Sequence, residues 1–108
     1  MASVINESMV RERALERVRS IFAIPGSVSL GDRFGIELVA SFVSDFKENE
    51  IDKIDNDIHD VADRSVQDEF ESEQLVIRTV GDYCDLMVRC SRSNPKEVAY
   101  LLGLDLFR

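Results

Sequence analysis

Apolar residues recur in the first segment at Val10, Ala14, Leu15, Val18, Ile21 and Phe22, the spacing of one face of a helix, which predicts a helix over 8–22. Pro25-Gly26 supplies the breaker that follows it. Beyond Gly31-Asp32 the run Phe34, Ile36, Leu38, Val39, Phe42, Val43 and Phe46 fits a second helix over 33–47, capped by Asp32. Its β-branched content also permits a strand. Ile51, Ile54, Ile58 and Val61 keep helical spacing, and Val66 and Phe70 extend it, so one long helix is expected over 50–70. Thr79 stands where an N-cap would, with Asp82 three residues on, before a stripe of Val80, Tyr83, Cys84, Met87 and Val88 that predicts a helix over 79–90. Ser93-Asn94-Pro95 places proline at the opening of a last short helix over 95–102, ending at Gly103. The pattern is all-α, a single helical domain over 1–108, with Val18, Phe22, Phe42, Ile54, Ile58, Val80 and Met87 in its core.

Composition narrows the function. The chain has 108 residues, 44% of them hydrophobic and 31% charged, enough for one packed core without metals or disulfides. A net charge of -8 makes binding to nucleic acid through phosphate neutralisation unfavourable and makes a basic protein surface the natural complement. Between residues 45 and 73 twelve acids face three bases, so this stretch is more negative than the chain as a whole. Its periodic isoleucines argue for an amphipathic helix with an acidic outer face, not a disordered tail. No apolar stretch has the length of a signal peptide or membrane span, which gives a cytoplasmic protein as the expectation, with no membrane partner.

Catalytic chemistry finds few footholds. Cys84 and Cys90 are six apart, neither a redox pair nor zinc spacing, and read as free buried thiols. His59 is the only histidine; Asp55, Asp60 and Asp63 stand near it at helical spacings, yet no second helix offers a matching ligand pair, so no metal is expected. Asp55-Asn56-Asp57 lacks the glycine and terminal glutamate of a calcium loop. A nucleophile beside a base and an orienting group is not specified either, and phosphate-cradling glycine patterns are absent. The expectation is not an enzyme.

The order of features resembles the acyl carrier protein family. The residues that carry the resemblance are Ile77-Arg78-Thr79-Val80, followed by Gly81-Asp82-Tyr83-Cys84-Asp85-Leu86-Met87, and the first-helix phrase Glu16-Arg17-Val18-Arg19-Ser20-Ile21-Phe22. Between them two registers compete. One aligns Ser41-Phe42-Val43-Ser44-Asp45-Phe46 with the phrase before the family's carrier serine and puts Glu50 at that serine's position. The other aligns Ile36-Glu37-Leu38-Val39, Phe42 and Asp45-Phe46 with the family's second helix and puts Asp32 there. Both lack the Asp-Ser-Leu phrase that carries phosphopantetheine, and a carboxylate cannot be esterified in place of a hydroxyl at a helix start. Ser29-Leu30 is the only Ser-Leu pair, three residues early in the second register. The resemblance implies an acyl-carrier-like four-helix bundle, here with a short extra C-terminal helix, and leaves Ser29 as the one named candidate for phosphopantetheine.

Together these features give a non-enzymatic, acyl-carrier-like helical protein without a prosthetic group, docking a basic protein through Glu50, Asp52, Asp55, Asp57, Asp60 and Asp63. Two alternatives stay open. One is a true carrier modified on Ser29 or another loop serine. The other is a small acidic inhibitor or immunity protein that caps a basic nucleic-acid enzyme.

Overall fold

The computed structural model describes residues 6–40 and 48–104, and among them five helices account for the regular structure: α1 (Glu7–Ile21), α2 (Glu50–Val61), α3 (Arg64–Glu71), α4 (Val80–Ser93) and α5 (Pro95–Leu102). α4 is the centre. Eight of its fourteen residues are buried, on more than one side of the helix, and α1, α2 and α5 all pack against it. α1 contributes Val10, Ala14 and Val18 at a spacing of four, α2 contributes Ile54, Ile58 and Val61, and α5 contributes Val98 and Leu102. Removing each of these valine, isoleucine and leucine side chains from water is worth roughly 1.5–3 kcal/mol, so these stripes hold the helices together. Of the expected core, Val18, Ile54, Ile58, Val80 and Met87 are fully or almost fully buried. Phe22 is only half-buried, stacked on Phe34 with ring centroids 5.9 Å apart. Phe42 lies outside the described residues.

The expected helix over 33–47 is absent from its described part. Residues 33–38 form tight turns around the Arg33 carbonyl, which accepts from the backbone N–H groups of Ile36, Glu37 and Leu38, with Gly35 at φ 87°. Asp32 is therefore no helix cap; its side chain accepts from the Ser29 backbone N–H. The backbone of this segment is used elsewhere. Asp32 and Leu30 carbonyls accept from the N–H groups of Val80 and Gly81 at 2.9 and 2.8 Å, and Phe34 N–H donates to the Arg78 carbonyl. With Thr79 Oγ1 accepting from Asp82 N–H, the first turn of α4 has partners for donors that an isolated helix leaves to solvent. Asp82 in turn accepts from the Thr79 N–H, which completes the capping box predicted from the sequence.

The expected long helix over 50–70 is two helices. Ala62 is extended, with ψ 138°, and Asp63 caps α3 by accepting from Val66 N–H at 2.9 Å. The carbonyls freed by this break are taken up: Asn94 Nδ2 donates to Val61 O and Gln67 Nε2 to Ala62 O. α3 is held to α4 by the Arg89 guanidinium, which pairs with Glu69.

α1 and α3 end in the same way, with reciprocal bonds that place a residue in left-handed backbone. Ile24 N–H reaches Arg19 O and Ala23 N–H reaches Ser20 O, while Gln74 N–H reaches Glu69 O and Glu73 N–H reaches Phe70 O. Ala23 has φ 53° and Glu73 φ 62°, positions that glycine occupies without a Cβ penalty. Ala23→Gly is therefore expected to raise stability by about 1 kcal/mol, read from the urea midpoint at constant m; an unchanged or lower midpoint contradicts the strain.

Candidate docking surface

α2 shows its acids to solvent because its apolar residues are committed to the core. Its N-terminus is fixed by a capping box in which Asn49 Oδ1 accepts from Asp52 N–H and Asp52 Oδ2 accepts from Asn49 N–H. From there Asp52, Asp55, His59 and Asp60 run along one exposed face about 12 Å long, opposite Ile54, Ile58 and Val61. Glu50, at the first helical position, is half-buried. Asp63 is half-buried as the cap of α3, and Ser93 hydrogen-bonding lowers its carboxyl pKa first, helped by the Val66 N–H.

Asp57 departs from the expected acid face. It is 4% exposed and occupies the inner stripe, three residues after Ile54. Arg17 of α1 donates to it through Nε and Nη2, both at 2.8 Å, and Tyr83 Oη of α4 donates to the same carboxylate at 2.8 Å. Burial is the main cause that pushes the Tyr83 phenol far above its ordinary range, and Asp57 adds to it; the hydrogen bond to Asp57 raises Arg17 further. Three helices thus meet on one carboxylate, which is unavailable to an outside partner. The missed signal was positional: 54, 57, 58 and 61 is the spacing of a single buried face.

Several arginines are neutralised inside the fold. Arg11 pairs with Asp85, Arg19 with Glu16, Arg33 with Glu37 and Arg92 with Glu7. The Arg33 guanidinium holds the Glu37 carboxyl down to about 2. Asp52, Asp55 and Asp60 take part in no salt bridge among the described residues. Asp55 is an exposed residue, yet partial desolvation raises its carboxyl pKa, with His59 opposing and Asp52 adding to the shift.

The acid face ends at a groove between α2 and α5. Asp60, Val61, Lys96, Glu97, Tyr100 and Leu101 line about 490 Å³ of open space. Asn94, at the start of α5, bonds the last carbonyl of α2 and fixes the two walls at one end. Tyr100 is 90% exposed, because α5 turns Val98, Ala99 and Leu102 inward. Periodicity alone did not single this groove out.

Other candidate residues are placed apart from this face. Ser29 is exposed in the loop after α1, with its N–H on Asp32, and its neighbour Leu30 accepts through its carbonyl from Gly81 N–H in the first turn of α4. His59 packs against Phe70, ring centroids 4.9 Å apart, and no group of three or more His, Cys, Asp or Glu side chains among the described residues is disposed to hold a metal ion. Cys84 and Cys90 are free and buried. No helix among the described residues is long and apolar enough to cross a membrane. Comparison of the chain with protein-family models, curated proteins and solved structures gives no match in any of the three.

Proposed function

We propose that this chain is a non-enzymatic docking module that binds a basic protein through the outer face of α2, with Asp52, Asp55 and Asp60 as the partner-facing acids. The observation that carries the reading is their disposition: three carboxylates on one exposed helical face, with no salt bridge among the described residues, in a fold that pairs Arg11, Arg17, Arg19, Arg33, Arg89 and Arg92 with other acids. Such a face attracts a basic surface before contact and speeds productive encounter, an effect that weakens with salt. Its rigidity comes from the opposite face, where Ile54, Ile58 and Val61 lock α2 against the core.

Asp52 completes a cap and Asp63 supplies one, so the test leaves both in place. The double variant Asp55→Lys, Asp60→Lys is expected to weaken binding of a lysine-rich peptide about tenfold or more at low ionic strength and to flatten its salt dependence. Its circular dichroism spectrum should match the parent's. Glu12→Lys with Glu71→Lys makes the same change in net charge on exposed positions of α1 and α3. Equal weakening by this control pair assigns the attraction to total charge and removes the docking face.

A further inference from the structure

The acid face supplies attraction but little shape, whereas the groove at its end supplies shape. Leu101 gives it an apolar wall above the buried Val61, Asp60 and Glu97 give it acid edges against the single base Lys96, and Tyr100 projects beside them. Asp60 belongs to both features, so the groove continues the outer face of α2 without a break. A tyrosine offers a large apolar ring and a polar tip at low conformational cost, the combination favoured where one protein seats on another. Its exposure is forced by the helix: α5 spends its inner positions on Val98, Ala99 and Leu102, which leaves Lys96 and Tyr100, four residues apart, on the outer side.

We propose that the groove between α2 and α5 receives an apolar anchor side chain from a basic, amphipathic helical segment of the partner, with Tyr100 packing against the anchor while the segment's lysines or arginines lie along Asp60, Asp55 and Asp52. Charge selects this occupant. A second copy of a chain with net charge -8 brings repulsion to the same acids, and an acidic segment does so too. A purely polar basic segment satisfies the acids but leaves the apolar lining unfilled. The groove is also largely pre-formed, because the Asn94 to Val61 hydrogen bond ties α5 to the end of α2, so little ordering cost is paid on binding.

The proposal rests on the reading of α2 as a docking face, and the test separates the two. The probes are two short synthetic peptides of equal positive charge: one places leucines at helical i, i+3 and i+4 spacing among lysines, and the other replaces every leucine by serine. Each is titrated into the isotopically labelled full chain at low ionic strength. The leucine peptide is expected to bind about tenfold more tightly or better, and to shift the backbone resonances of Val61, Lys96, Tyr100 and Leu101. Tyr100→Ala should abolish that advantage without changing the serine peptide's affinity, and Tyr100→Phe should keep most of it. Since Tyr100 is almost fully exposed, neither substitution disturbs the fold. Equal binding of both peptides to the parent, or an advantage that survives Tyr100→Ala, overturns the groove while the acid face stands. Binding of neither peptide overturns both. Concentration-dependent self-association lost in Tyr100→Ala, with no leucine-peptide preference, replaces the proposed occupant by a second copy.

Discussion

Asp57→Ala is expected to cost about 3–5 kcal/mol of stability, the range for breaking one side of a buried ion pair. The carboxylate is 4% exposed and accepts three hydrogen bonds, two from Arg17 and one from Tyr83, so its loss strands the Arg17 fork and the Tyr83 hydroxyl together. The Arg17 side chain is 36% exposed and recovers some hydration, but Tyr83 is wholly buried and recovers none. Domains of this size are stable by only about 5–15 kcal/mol, which makes the variant marginal at physiological temperature. Tyr83→Phe should cost less, about 1.5–3 kcal/mol, because Asp57 keeps its bidentate arginine. The triple change Arg17→Met, Asp57→Leu, Tyr83→Phe removes every polar partner at once and should regain much of the loss. Urea unfolding followed by circular dichroism reads all three. A loss below about 1 kcal/mol for Asp57→Ala means that water reaches the site and that the three-helix junction is not dehydrated.

The same residue shows where sequence reading stops. α1, α4 and α5 were legible almost to their ends: α4 and α5 carry local start signals, Thr79 with Asp82 and Asn94 before Pro95, and α1 carries an apolar stripe that opens at Val10. The stops at Ile21 and Glu71 were read to within one residue, although Ala23 and Glu73 sit in left-handed backbone without being the glycine that usually marks such an end, whereas α4 runs past its expected end at Cys90 to Ser93. The break at Ala62-Asp63 was hidden by apolar spacing that runs on to Val66 and Phe70, although Asp63 is a good cap residue. The turns at 33–38 could not be read locally at all. Their apolar content fits a helix, but the backbone of residues 30–34 is recruited to cap α4, which begins about fifty residues later in the chain. In the candidate site, Asp52, Asp55 and Asp60 followed from amphipathicity. Asp57 did not, because a charge count treats an acid on the inner stripe like one on the outer. The Tyr100 groove arises from where α2 and α5 meet, which is a property of tertiary packing that no single helix encodes.

Cys84 and Cys90 are expected to react with a disulfide-exchange reagent only as fast as the protein opens. Both side chains are fully buried on α4, and burial pushes each thiol from 9.0 up to about 11. Thiolate is the reacting form, so near pH 8 the shift alone lowers its fraction about a hundredfold. Steric exclusion multiplies this, because the reagent must wait for an opening whose free energy approaches that of global unfolding in the central helix. Both thiols should therefore label at one common rate, about a thousandfold or more below the rate in urea. Rapid labelling of either cysteine in the native protein contradicts the burial of α4. The pH dependence has a definite sign. A thiol raised in the folded state favours folding fully below about 9, and that contribution fades as pH climbs through about 11, because the unfolded chain gives up the proton first. The buried Tyr83 phenol, raised above its ordinary value of 10.0, acts in the same direction and adds its loss above that pH. Urea midpoints should stay level from neutral pH to about 9 and then decline through about 11. A midpoint that holds steady across that window requires the thiols to ionise as readily in the folded chain as in the unfolded one.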